Sequence, residues 1–320
     1  MRGWPADDLG RLAVVPTELL GFWPLQPTAG RVEAVDGEIR FRPRFPLARG
    51  TGYSLLLDGV PVAAVTVPAR TGIGTTSIVA IYPTARELPL NQLKLYIQFS
   101  GAMSEGWAER AVQVRRADAR QPLPGVFLPM EPELWDPARR RLTLLLDPGR
   151  IKRGLAPNEE LGYPLEEGVP IVVAVDRRFR DASGLPLVTG MERRYEVGPA
   201  VRQHVNPAAW RLRRPAAGSM DPLAVTFDRP LDRALLDHSL VVLDAHGAAL
   251  DGQATIAQGE RSWRFRPLRR WRPAPYRLAV DPRLEDLAGN SLARVFDRDL
   301  TRPEDAPIDM EQAFIEFHPR

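Results

Sequence analysis

Two stretches of this chain gather residue types suited to gripping a polar or charged ligand. The first, Met130-Glu-Pro-Glu-Leu-Trp-Asp-Pro137, sets Glu131, Glu133 and Asp136 around Trp135. The second, from Asp147 to Tyr163, opens with Arg150, Lys152 and Arg153 and closes on Tyr163. Carboxylates and cations fix a ligand's charges while an indole or phenol offers a stacking face, which is the chemistry of carbohydrate or polyanion binding. Residues 141–147 form the strand between the two loops, about 20 Å long at ~3.3 Å per residue. The loops therefore leave opposite ends of it unless the longer one folds back.

Other constellations lead to less. Asp181 and Asp286 invite a calcium reading, with Glu285 and Asn290 nearby, but that ion wants roughly six to eight converging oxygens. An Asp or Asn closing a tight glycine turn explains the same residues without metal. His204, His238, His246 and His318 lack metal-ligand spacing, and no Gly-x-Ser-x-Gly elbow occurs. Gly72-Ile-Gly74 does not extend into a phosphate cradle, and Glu159-Glu160 and Glu166-Glu167 read as solvated loop charges. Arginines 264, 266, 269, 270 and 272 interleave with Trp263, Phe265 and Trp271, yet strand alternation turns the aromatics inward and leaves the guanidinium heads in water. There is no cysteine, hence no disulfide or thiolate site. No cofactor or metal is expected.

Composition narrows the class. Thirty-two prolines in 320 residues is roughly twice the usual ~5%, and suits many short strands joined by rigid turns. The net charge is only +3 although the pI is 9.5, because 43 basic residues are all arginine except Lys94 and Lys152. Forty acidic residues are interspersed among them, so sequence-specific nucleic-acid binding is not expected. Residues 12–25 are interrupted by Pro16, Glu18 and Pro24 and are too short to cross a bilayer; no signal peptide is visible.

The elements that must position these residues are strands. Leu93, Leu95, Ile97 and Phe99 alternate with Lys94, Tyr96 and Gln98; Leu223, Val225 and Phe227 alternate with Ala224 and Thr226. Such alternation predicts half-buried antiparallel strands. The best helical candidate is one or two turns around Met103 to Ala111, with Ser104 as the candidate cap and Glu105 in the first turn. The strands also repeat. Glu38-Ile-Arg-Phe-Arg-Pro43 returns as Ser262-Trp-Arg-Phe-Arg-Pro267, and Phe99-Ser-Gly-Ala-Met103 as Phe227-Asp-Arg-Pro-Leu231. Ten residues separate Ile171 from Asp181, and ten separate Tyr276 from Asp286.

The order Phe-x-x-x-apolar, Phe-x-Pro, Gly-x-x-Tyr and Asp-x-x-Gly-Asn-x-Leu resembles the bacterial Ig-like domain family first described in S-layer proteins. The likeness covers residues 82–190 and 217–300 and, partially, 31–67; Leu185 departs from it, standing where the family has asparagine. It implies an all-β chain of tandem immunoglobulin-like antiparallel β-sandwich domains. We expect a reduced Ig-like domain at 1–72, a sandwich with two long loop insertions at 73–199, a sandwich at 200–300 and a docked tail at 301–320. The resemblance further implies a non-catalytic structural or adhesive protein, outside the bacterial cytoplasm, whose partners are other domains, envelope proteins or glycan. The alternatives are carbohydrate or polyanion binding through the middle loops, and an enzyme with a site between them.

Overall fold

The computed structural model describes residues 6–21, 25–36, 38–68, 72–130, 132–257 and 259–320. The described chain forms two compact units. One comprises Met1–Ile81, Tyr96–Leu144 and Ile171–Arg194, the other Tyr82–Leu95, Leu145–Pro170 and Tyr195–Arg320.

The C-terminal part of the second unit shows the architecture in full. Seven strands, Arg211–Arg213, Leu223–Thr226, Leu240–Leu243, Gly252–Ile256, Ser262–Pro267, Tyr276–Val280 and Ala313–Phe317, divide into two sheets. One has the order first-second-fifth-fourth and the other third-sixth-seventh, which is the strand order of a constant-type immunoglobulin sandwich. The alternation decides which side chains fill it. Trp263 and Phe265 are buried while Arg264 and Arg266 are exposed. Trp263 stacks on Phe265, which meets the edge of Trp271, and Trp271 meets Tyr276 and Phe317. Each buried large side chain of this kind contributes about 1.5–3 kcal/mol from burial alone. The segment 301–320 supplies the seventh strand: Ala313–Phe317 pairs antiparallel with Tyr276–Val280, bringing Phe317 into the core.

The repeated Arg-Phe-Arg-Pro phrase has a hidden partner. In the second unit Gly252 pairs with Pro267, and a Cβ at Gly252 would sit 2.3 Å from the Phe265 ring. In the first unit Gly30 pairs with Pro43, and a Cβ there would sit 2.5 Å from the Phe41 ring. The tyrosines that open the following strands also agree: Tyr53 Oη accepts from Ala48 N at 2.8 Å and Tyr276 Oη from Arg272 N at 3.0 Å. In the first unit Leu12–Pro16, Gly52–Leu57 and Val60–Thr66 form one sheet and Gly30–Val35 with Glu38–Pro43 a hairpin. These five strands match the third to the seventh of the complete sandwich.

The first unit also holds the antiparallel pair Val112–Arg116 and Ile171–Val175, with Phe99, Trp135 and Phe179 clustered at centroid distances of 5.4–6.0 Å. In the second unit the end of Met191–Gly198 pairs in parallel with Glu87–Pro89. The chain is thus all-β, built from immunoglobulin-like antiparallel sandwiches. Helices are short. Of the one or two helical turns expected around 103–111 one forms, Ala108–Ala111, uncapped by Ser104, because the Ser104 hydroxyl donates instead to Asp181 O at 2.7 Å. The second insertion, read from sequence as loop, contains the turns Pro148–Ile151 and Ala156–Leu161, the former capped by Asp147 accepting from Gly149 N.

Candidate binding site

The two sequence-predicted groups belong to different compact units. Glu131 lies outside the described residues. In the first unit Glu133 is buried, with its Oε1 accepting from Ala108 N and its Oε2 from Trp135 Nε1, both at 2.7 Å. Burial pushes this carboxyl up in spite of those hydrogen bonds. Trp135 is spent on the aromatic cluster with Phe99 and Phe179, and Asp136 closes a turn by accepting from Arg140 N and Arg141 N. Beside Glu133, Glu105 is pushed up to about 7 by burial and by the Glu133 charge, against the pull of Arg139 and Arg44. Glu105 is 8% exposed, and its Oε1 has no hydrogen-bond partner among the described residues.

In the second unit Arg150 donates to the carbonyls of Leu161, Gly162 and Tyr163, closing the insertion on itself. Lys152 Nζ lies 4.5 Å from the centre of the Phe296 ring. Arg153 Nε donates to the buried carboxylate of Asp297 at 2.9 Å, which also accepts from Arg202 Nε at 2.6 Å. Arg202 Nη2 in turn donates to Tyr163 Oη at 2.5 Å. Arg153 and Tyr163 are therefore joined through Asp297 and Arg202.

A cleft of about 590 Å³ lies elsewhere in the second unit, between residues 84–89 and the loops 228–230 and 286–288. Its first wall is fixed by Glu260, 1% exposed and held at φ +51°. The Glu260 carboxylate accepts from Thr84 N at 2.7 Å and Thr84 Oγ1 at 2.6 Å, while Thr84 Oγ1 accepts from Gly259 N. Opposite, Arg229 donates to His204 O and lies 3.3 Å from Asp286 Oδ2. Asp286 Oδ1 accepts from Ala288 N and Asn290 N, both at 3.0 Å, in an Asx turn. Burial pushes this carboxyl up to about 6 although Arg229 and Asn290 favour its charged form. The rim carries Arg86 and Arg261, both exposed; Pro199, Val201 and Leu287 give an apolar floor.

None of the predicted binding residues lines this cleft. Its lining comes from five segments remote in sequence, residues 84–89, 199–201, 229–230, 259–261 and 286–288, and of its residues the sequence pointed to Asp286 as a candidate ligand. One signal was present: Asp228-Arg-Pro230 fills with charge the place that Ser100-Gly-Ala102 holds in the other copy.

No family model matches the sequence, and no curated protein does. Solved structures with a similar backbone course include native α2-macroglobulin from Escherichia coli spanning domains MG0-NIE-MG1, 8% identical over 78% of this chain and 91% of that one, with a TM-score of 0.25. The titin domains z1z2 in complex with telethonin are 10% identical over 66% of this chain and 90% of theirs, TM-score 0.20. A marsupial T cell receptor is 12% identical over 88% and 90%, TM-score 0.21. Likenesses this slight carry no argument here; the fold rests on the strand order above. Among the described residues no helix is long and apolar enough to cross a membrane, and no group of three or more His, Cys, Asp or Glu could hold a metal ion.

Proposed function

We propose that this chain is a non-catalytic structural or adhesive protein of the S-layer-type Ig-like kind, working outside the bacterial cytoplasm. The carrying observation is the set of bonds that fixes residues 84–94 to the C-terminal sandwich. Besides the Thr84–Glu260 bonds, Leu93 N donates to Leu287 O at 2.9 Å, and Asn91 exchanges two hydrogen bonds with Val201. Lys94 Nζ pairs with Glu285 at 2.5 Å. A spacer needs such connections to transmit force without slack. Glu133, Trp135, Asp136, Arg150, Arg153 and Tyr163 are committed to internal bonds, which supports the same reading.

Hydrogen exchange tests it: amides of 84–94 are expected to exchange as slowly as those of Ser262–Pro267. Free exchange there, or turnover of ester, glycoside or phosphate substrates that Glu105→Gln abolishes, would overturn it. Fractionation of a bacterium expressing the chain with its native upstream sequence is expected to place it outside the cytoplasm.

A further inference from the structure

We propose that the cleft bordered by Arg86, Arg229 and Arg261 binds an extended, carboxylate-bearing peptide segment, laid beside the strand Glu87–Pro89. The inference rests on the adhesive reading above and names the chemistry of the partner. Three observations carry it. At about 590 Å³ the cleft has the size of a ligand site. Its lining carries three arginines, Arg86, Arg229 and Arg261, against two carboxylates, Glu87 and Asp286; Asp286 is matched by Arg229, and Glu87 lies over Gly198, its Oε1 2.4 Å from where a Cβ would stand. Among the described residues the Arg86 guanidinium has neither an ion pair nor a hydrogen bond, and the Arg261 head donates only to Asp228 O, at 2.8 Å. Two exposed guanidinium forks over an apolar floor suit a carboxylate joined to an apolar body.

The third observation is the wall itself. Glu87–Pro89 ends its sheet, paired on one side only with Glu196–Gly198. Glu196 N donates to Arg86 O at 2.9 Å and Leu90 N to Gly198 O at 3.0 Å. Even-numbered residues thus aim their main chain at the partner strand, and parallel pairing leaves the N–H and C=O of Glu87 on the outer edge. An added strand would take those groups by main-chain hydrogen bonds and leave alternate side chains to the arginines. Pro89 has no N–H to offer, which limits the pairing to a short register and favours a peptide over a whole sheet.

The test is fluorescence anisotropy of the full chain with a labelled hexapeptide alternating Val and Glu. Saturable binding is expected at about 10–100 μM, weakening with salt. Replacing Glu by Gln in the peptide, or Arg86→Glu in the protein, is expected to weaken it at least about tenfold. Arg86 is exposed and unpaired, so that variant keeps its fold; Arg261→Glu is an independent check. N-methylation of alternate peptide nitrogens is expected to abolish binding. No saturation by about 1 mM, equal affinity of the Gln peptide or of both arginine variants, unaffected binding of the N-methylated peptide, or binding of a uronate oligosaccharide in the peptide's place would each overturn the proposal. Cleavage of the bound peptide, read by mass spectrometry, would instead sink the non-catalytic reading and leave the site standing.

Discussion

The turns Arg180–Leu187 and Glu285–Leu292 begin from one sequence pattern and are built alike. In each, an aspartate accepts from two backbone amides further on: Asp181 from Ser183 and Leu185, Asp286 from Ala288 and Asn290. Each is bridged by the apolar residue four places after the phenylalanine, Met103 or Leu231. They differ in what presses on them. A Cβ at Gly184 would lie 1.4 Å from the carbonyl oxygen of Arg49, whereas one at Gly289 would lie 2.4 Å from the side-chain Cδ2 of Leu93. Both glycines have positive φ, +81° and +79°. One turn is therefore closed by backbone against backbone, the other by a side chain able to rotate away.

That contrast sets the largest expected effect. Gly184→Ala combines left-handed strain with a main-chain collision, and is expected to cost about 4 kcal/mol or prevent folding of the first unit. Gly289→Ala carries similar strain but a yielding neighbour, so about 1–2 kcal/mol is expected. Urea unfolding of both variants measures the difference; equal losses would mean that the Arg49 contact does not shape the turn.

The position after the glycine separates the turns again. Asn290 Nδ2 donates to Asp286 Oδ2 and to Val201 O, and its Oδ1 accepts from Phe296 N. Leu185 can do none of this. Asn290→Leu should leave buried polar partners unmet, at about 1–3 kcal/mol each less what relaxation and water recover, for a net loss near ~3 kcal/mol. Leu185→Asn, at a half-buried position, should stay within about 1 kcal/mol. A thermal melt of each variant decides whether asparagine is the anchor in one turn and leucine dispensable in the other.

The same pair of turns shows how far sequence reading reaches. The Asp-x-x-Gly pattern was legible because aspartate and glycine each have a local reason to be there, as was the inward Trp263 and Phe265 beside outward Arg264 and Arg266. Gly30 and Gly252 were not, since a residue with no side chain signals nothing until the opposing phenylalanine is in place. Glu133 and Trp135 looked like a ligand-binding pair because their charge and aromaticity were visible while their partners, Ala108 N and Phe179, lay far along the chain. The cleft was illegible for the same reason: segments 84–89, 228–230 and 286–288 become neighbours only through folding.

Asp286 gives the comparison a pH axis. Its carboxyl stands at about 6, against 3.8 without the fold, because burial outweighs Arg229 and Asn290. A raised carboxyl value means the folded state holds the proton more tightly, so this contribution is complete below about pH 4 and is lost as the pH rises through about 6. The loss is on the order of 3 kcal/mol. Glu105, at about 7, contributes with the same sign over a window that reaches higher. Asp286→Asn keeps an acceptor for the turn amides and should flatten the dependence between about pH 4 and 6. Guanidinium titrations at several pH values test this, and a wild-type curve rising across that window after the Asp286→Asn curve is subtracted would reverse the assignment.

The most local expected effect lies at Thr84, where one contact is set against a connection made of many bonds. Thr84→Val keeps the shape but removes the donor to Glu260 Oε1 and the acceptor for Gly259 N. Glu260 still accepts from Thr84 N at 2.7 Å, so its carboxylate keeps a partner and the loss should be about 1.5 kcal/mol. The consequence should be local. With Asn91, Leu93 and Lys94 still bonded, exchange should accelerate at residues 84–86 while 91–94 keep their protection. Were all of 84–94 to open together, the segment would be one cooperative clasp fastened by a single residue, and the stiffness inferred for this connection would rest on Glu260 rather than on the sum of its bonds.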